Sequence, residues 1–366
     1  MEGQNIKWRK EENRMKKKLL GLTMAVILAA GLVGCGSGNS QQASGNAADN
    51  AAETSQPEAA ENDGEAGASA DASASGAPDV ADITLAYVPT TMNNPFWSAM
   101  MGGITAQMEA KGMDPATQLV TVDADSDQAT MNNYVYDLIN QGVDAIILAP
   151  MDCTAVTEAL QACADANIPV INVDTAVDRT DLIVSVIASD NYGAGVQCAE
   201  DMMKKLEKGS KIYVMNQPSG SACVQREQGF LDTVGDYFQI LGTSDTSGDT
   251  ATTLPVAEDA ITADKDIAGF FCINDMAALG CVQACAAAGR DDIVVYGVDG
   301  NPDFMGYVGD GSATGSSAQQ PSVIGSNAVD AALAHLAGEA VEAEIVVPVT
   351  LITQDNIADF DVSDWQ

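Results

Sequence analysis

Apolar and polar residues come in alternating blocks along most of this chain. Short runs rich in Val, Ile and Leu recur at 83–88, 119–122, 145–149, 169–173 and 182–187, then at 211–215, 238–242, 269–273 and 293–298. Between them lie stretches with helical spacing at 95–111, a segment ending near 142, 154–166, 191–207, 222–235, 250–263 and 276–288, with a last one at 321–337. The short runs are continuous rather than strictly alternating, as a parallel sheet covered on both faces requires. Repeated strand–helix units of this kind predict a doubly wound α/β fold. Ligands of such sheets bind off the carboxyl ends of the strands. The residues to inspect are therefore those that follow each run.

Those residues share a chemistry. After the first run come Thr90, Thr91, Met92, Asn93, Asn94, Pro95, Phe96 and Trp97. Asp174 follows the fourth, and Asn274-Asp275 and Asp299-Gly300 follow later ones. Amides and carboxylates each bond two hydroxyls, and aromatic faces cover apolar C–H surface, so the set suits a polyhydroxyl ligand. Asx residues also cap helices. Of the adjacent pair, Asn274 is assigned to the ligand and Asp275 to the cap or hinge.

The N-terminal part follows a different pattern. Lys16-Lys17-Lys18 precede an apolar stretch from Leu19 to Val33, which stops at Cys35 between glycines. The stretch is short for a membrane span and has the layout of a secretion signal. Met15 starts this signal better than Met1. The Leu32-Val33-Gly34-Cys35 ending resembles the lipobox of bacterial lipoproteins, which implies lipidation at Cys35 and an extracytoplasmic location, anchored to the cell membrane by lipid. Residues 1–35 are thus read as a lipoprotein signal peptide. Residues 36–81 are mostly Ala, Ser, Gly, Asn, Gln, Asp and Glu, with no Lys, Arg, aromatic residue or Cys. Such a segment buries too little apolar surface to offset its ordering entropy and is expected to be a disordered acidic linker. As a coil it would span about 40 Å.

Charge and cysteine content narrow the partners. A net charge of −36 with one histidine repels nucleic acid and anionic lipid headgroups. Beyond Cys35 an odd number of cysteines remains, at 153, 163, 198, 223, 272, 281 and 285, so a disulfide framework is not expected. Most of them lie in apolar runs, none has zinc-ligand spacing, and they read as small buried thiols. Asp123-x-Asp125-x-Asp127 lacks the glycine and glutamate of a calcium loop, having Gln128 and Tyr134 there, and reads as a solvated loop. No nucleophile elbow or zinc-protease motif is present. No cofactor, metal or catalytic residue is expected.

From 82 to about 356 the chain resembles the sugar-binding periplasmic proteins of ABC transporters, in particular the ribose-binding type. The motifs are Asn93-Asn94-Pro95-Phe96-Trp97, Ala166-Asn167-Ile168-Pro169-Val170-Ile171, Ile187-Ala188-Ser189-Asp190-Asn191, Arg226-Glu227-Gln228-Gly229-Phe230, Asn274 to Gly280 and Gly297-Val298-Asp299-Gly300, in the family's order. The resemblance implies two Rossmann-like lobes with parallel sheets, joined by a three-crossing hinge. One would hold 82–188 and 320–349, the other 189–319 and 350–366. It implies ligand-binding roles for Asn94, Phe96, Trp97, Asp174, Arg226, Asn274, Asp299 and Gln319, with Thr90 at the edge of the site. It further implies a monomer that closes on its ligand and an ABC permease with a cytoplasmic ATPase as partner.

Two positions depart from the ribose type. Thr175, itself kept as a ligand-binding candidate, stands where an arginine follows the aspartate, and Gly248 where an aromatic residue lies near the second lobe's loop. The expectation is a roomier cleft on that side, suited to a bulkier sugar, a glycoside, a polyol or a furanose, with Arg179 as a candidate replacement charge. A sensor of the same fold and an exported glycan-cleaving enzyme using Asp174 and Asp299 are the competing functions. A repressor would carry a DNA-binding segment where this chain has its signal and linker. Replacement Cys35→Ser should release the protein from the membrane or block its processing. Fractionation and mass analysis would check this, and acylation that persists in the variant would refute the lipobox reading.

Overall fold

The structure, a computed structural model, describes residues 79–366. The signal peptide, Cys35 and nearly all of the linker lie outside the described residues. The first half alternates β1 (Leu85–Val88), α1 (Pro95–Ala110), α2 (Pro115–Gln118), β2 (Leu119–Thr121), α3 (Gln128–Gln141), β3 (Ala145–Leu148), α4 (Thr157–Asp165), β4 (Val170–Val173) and β5 (Ser185–Ser189). The second continues with α5 (Asn191–Lys205), β6 (Lys211–Asn216), α6 (Ser221–Val234), β7 (Gln239–Asp245), α7 (Thr250–Ala263), β8 (Ile267–Cys272), α8 (Asp275–Ala288), β9 (Val294–Asp299), α9 (Pro302–Asp310) and β10 (Gly315–Ala318). The chain ends with α10 (Pro321–Leu336), β11 (Glu344–Val347) and β12 (Thr350–Thr353).

These strands form two six-stranded sheets, in the orders β11-β5-β4-β3-β1-β2 and β12-β10-β9-β8-β6-β7. Every pairing is parallel except the antiparallel β10–β12 edge. The chain passes between the sheets after β5, after β10, and between β11 and β12. Strands β1, β3 and β4 are buried along their whole length, which explains their continuous apolar runs. Each sheet carries a hydrophobic cluster on both faces. Among the described residues no helix is long and apolar enough to cross a membrane.

Several elements escaped the apolar pattern. Strand β10 is Gly-Ser-Ser-Ala, yet it is fully buried in its sheet. It tolerates this because Ser316 donates to Asp275 and Ser317 to Gln197. Helix α9 is short, and β11 and β12 are one apolar stretch split at Pro348 between two different sheets.

The fold also extends past the expected linker boundary. Asp79 caps a turn over Val80–Asp82, Val80 packs on the first sheet's core, and Gln118 Nε2 donates to the Val80 and Ile83 carbonyls at 2.7 Å. Residues 79–81 therefore belong to the folded part, because their backbone and one apolar side chain are held by it. At the other end Trp365 leaves the second sheet's company. It packs with the first sheet's core, edge-on to Phe96 at 5.7 Å.

In each half, two helices meet at reciprocal glycines. A Cβ on Gly103 would lie 2.0 Å from the Ser322 carbonyl, and one on Gly325 2.3 Å from that of Met100, which seats α1 on α10. A Cβ on Gly195 would lie 2.0 Å from the Arg226 carbonyl, and one on Gly229 2.1 Å from that of Tyr192, which seats α5 on α6. These notches set the positions of Phe96 and Trp97 on α1 and of Arg226 on α6. Replacement Gly229→Ala should force the second pair apart and cost about 1–3 kcal/mol. Thermal denaturation would show it as a loss of several degrees in Tm.

Candidate functional site

The strand-end rule holds for both sheets. A cavity of about 330 Å³ lies between them and is lined by Thr90, Asn94, Phe96, Trp97, Asp174, Thr175, Arg226, Asn274, Asp299 and Gln319. All ten residues singled out as ligand-binding candidates thus meet at one place. The volume falls at the small end of the range of roughly 300–1,000 Å³ for small-molecule sites.

On the first sheet's side, the chain leaves β1 and turns into α1 at Asn94. Asn94 Oδ1 accepts from the Phe96 backbone N–H at 3.0 Å and caps the helix, with Pro95 in its first turn. This cap places Phe96 and Trp97 in the first turn, buried and edge-to-face at 5.0 Å. The hydroxyl of Tyr87, on β1, donates to the Trp97 carbonyl. Thr90 is tied to the Ala149 carbonyl. Asp174 follows β4 with a left-handed φ of 62°, and its amide N–H bonds the Ile187 carbonyl. Its Oδ2 accepts from the Thr175 hydroxyl at 2.9 Å.

The second sheet supplies the opposing cation. Arg226 on α6 is 3% exposed. Its Nε donates to Asn191 at 2.8 Å, and one terminal nitrogen donates to the Ile273 carbonyl at 2.9 Å and to Asp299 Oδ1 at 3.4 Å. The other terminal nitrogen lies 3.9 Å from Asp174 Oδ1, an ionic contact between the two halves. Ser221 also crosses the cleft, donating to the Ala176 carbonyl at 2.9 Å. Asp299 has a positive φ of 137° and accepts from Gln319 Nε2 at 2.7 Å. Positive φ at two non-glycine residues costs on the order of 1–3 kcal/mol each and is concentrated here, as is common at functional sites.

This arrangement has known counterparts. Residues 85–340 match the family described as "Periplasmic binding protein domain". The chain belongs to the periplasmic binding protein family. The ribose import binding protein of Bacillus subtilis is 32% identical over 274 residues, covering 75% of this chain and 88% of that protein. Its Escherichia coli counterpart is 33% identical over 277 residues, covering 75% and 92%. A solved ABC transporter solute-binding protein from Agrobacterium vitis, with bound D-fucose, superposes with a TM-score of 0.71 at 30% identity, covering 75% of this chain and 96% of that one.

Three expectations about this periplasmic binding protein change. Asn274, not Asp275, caps α8: its Oδ1 accepts from Ala277 N–H at 2.9 Å while its Nδ2 donates to the Gly248 carbonyl. Asp275 is buried and ties β10 to the turn after β9, through Ser316 and the Asn301 N–H. Backbone geometry decides this: Asn274 precedes the first turn in an extended conformation, φ −149° and ψ 169°, which aims its side chain at a free N–H group. Arg179 does not replace the missing charge, since it forms an exposed bidentate pair with Asp181 at 2.7 Å. The second lobe is not opened at Gly248 either. A Cβ there would lie 2.7 Å from Asn274 and 2.8 Å from Gln217, which fill that space.

Other lining residues were not among the candidates. Gln217 and Gly220 follow β6, and Pro150 and Met151 follow β3, so the strand-end rule would have found them. Cys223 lines the cavity while also packing against one of the second sheet's hydrophobic clusters. Ser126 lines it too, from the Asp123–Asp127 loop, where Asp125 accepts from Asn93 and Asp127 caps α3.

Burial lifts the carboxyls of this site. Asp174 is raised, with Arg226 and Thr175 opposing. Asp299 is pushed up to about 6, with Arg226 and Gln319 opposing. The Cys223 thiol is pushed up to about 12 and stays protonated. A carboxyl raised in the folded state adds stability that is full below its unfolded pKa and lost as pH rises through its folded one. Replacement Asp299→Asn removes that loss. Its Tm relative to wild type should therefore rise between about pH 4 and about pH 7. Scanning calorimetry of the unliganded pair would check this, and a constant difference would refute the assignment.

Proposed function

We propose that this chain is the extracytoplasmic receptor of an ABC sugar importer. It binds a monosaccharide or related polyhydroxyl compound between its two sheets and presents the closed form to a permease with a cytoplasmic ATPase. The observation that carries this reading is the buried Asp174–Arg226–Asp299 line facing Phe96 and Trp97 across one small cavity. Carboxylates, amides and a guanidinium satisfy hydroxyls, while the rings cover apolar ring surface. A ligand that touches both halves favours closure, because only the closed form makes both sets of contacts. Relatives named as ribose import proteins favour transport over sensing.

The family is one of binding proteins rather than enzymes, and we read this chain as non-catalytic. The proposed molecule is a monomer. Cys35 anchors it by lipid, with residues 36–78 as a tether. The two lobes are proposed to divide near 189, 320 and 350, with the last residues returning to the first lobe through Trp365.

Thermal-shift screening of the full chain against pentoses, hexoses, polyols, furanosides and nucleosides, confirmed by calorimetry, tests the receptor reading. Stabilisation by one sugar class is expected, and no shift with any of them would overturn it. Replacement Arg226→Ala should weaken that ligand by about 2–5 kcal/mol, because it removes a buried charged donor from the cavity wall. Unchanged affinity would refute the site assignment.

A further inference from the structure

We infer that the ligand is an amino-substituted polyhydroxyl compound, such as an amino sugar or amino cyclitol, whose ammonium group is held by Asp174. The inference rests on the receptor reading. It starts from the charges that line the cavity. Arg226 is the one cation among the described lining residues, against the buried carboxylates of Asp174 and Asp299 and that of Asp249 at the exposed rim. The surplus is negative in a place where water screens little.

Arg226 carries one charge and shares it between Asp299 at 3.4 Å and Asp174 at 3.9 Å, so it offsets Asp174 only in part. Its Nε is taken by Asn191, and one terminal nitrogen is shared by Ile273 and Asp299. The remaining nitrogen lies 3.9 Å from Asp174, beyond hydrogen-bond reach. Thr175 occupies only Oδ2. Asp174 Oδ1 is buried with no hydrogen-bond partner among the described residues, and so is Gln319 Oε1. Both residues line the cavity.

Two unpartnered acceptors and a surplus carboxylate call for donors and positive charge. A hydroxyl supplies a donor but leaves the surplus of two buried carboxylates over one guanidinium in place. An ammonium supplies three donors, no acceptor, and a charge-assisted bond of about twice the strength of a neutral one. Gln319 Oε1 then takes a hydroxyl of the same ligand. The same surplus disfavours sugar phosphates and sugar acids. Burial, which raises the Asp174 carboxyl in the free protein, acts in the same direction, since a bound cation relieves it.

The test is calorimetry on the full chain with matched triads: glucose, glucosamine and N-acetylglucosamine, the galactose set, and inositol with its amino and acetamido derivatives. At about pH 6.5, below the pKa of such amines (~8, close to an α-amino group), the amine of at least one triad should bind at least tenfold tighter than its hydroxyl and acetamido partners. The preference should vanish above about pH 9. In the Asp174→Asn variant the amine-to-hydroxyl affinity ratio should fall to near one. A hydroxyl member that binds as tightly as its amine in every triad overturns the inference and leaves the receptor reading standing. No binding by any triad or any neutral sugar overturns both.

Discussion

The buried guanidinium of Arg226 is the interaction on which the rest of the site depends. A charge with 3% exposure is tolerable only if its donors are used. Asn191, the Ile273 carbonyl and Asp299 use them from one half, and Asp174 approaches from the other. The same group thereby links the ends of β4, β8 and β9 and the start of α5. Asp299 is held in turn by Gln319, next to the chain's second passage between the sheets. Site geometry and hinge geometry are consequently one network.

Helix packing makes this network possible. Arg226 can reach the cleft because α6 lies against α5 at glycine-only distance. Phe96 and Trp97 reach it because α1 lies against α10 in the same manner. The two halves use one device at corresponding places. Each sets a strand-end loop and the first turns of a helix toward the cavity, with backbone contacts too close for any side chain between them. Trp365 adds a brace from the chain's end to the aromatic wall.

The proposed ligand class follows from the same accounting of donors and charges. Two buried carboxylates share one guanidinium, so the cavity carries a negative surplus that a cationic ligand would offset. Thr175 and the outward pair of Arg179 with Asp181 leave this surplus in place. The closed approach of Gly248 to Asn274 and Gln217 keeps the cavity small, so selectivity comes from charge and hydrogen bonding rather than from extra room.

By itself the sequence determined the α/β class, because strands buried on both faces must be continuously apolar and these runs are. It also determined where to look for the site, since parallel sheets present their loops at the carboxyl ends. The motifs themselves hold Asn94, Phe96, Trp97, Arg226, Asn274 and Asp299, and the resemblance they carry pointed to the other candidates that line the cavity. Tertiary structure alone decided what each does. Strand β10 has no apolar pattern, because its buried serines are satisfied by partners distant in sequence. The choice between Asn274 and Asp275 depended on which side chain faced free helix N–H groups. Cys223 and Trp365 were illegible because their neighbours come from other parts of the chain. The charge imbalance, too, emerged only from the fold: identity supplies a residue's charge, but how far that charge is offset depends on which opposite charges the fold places beside it.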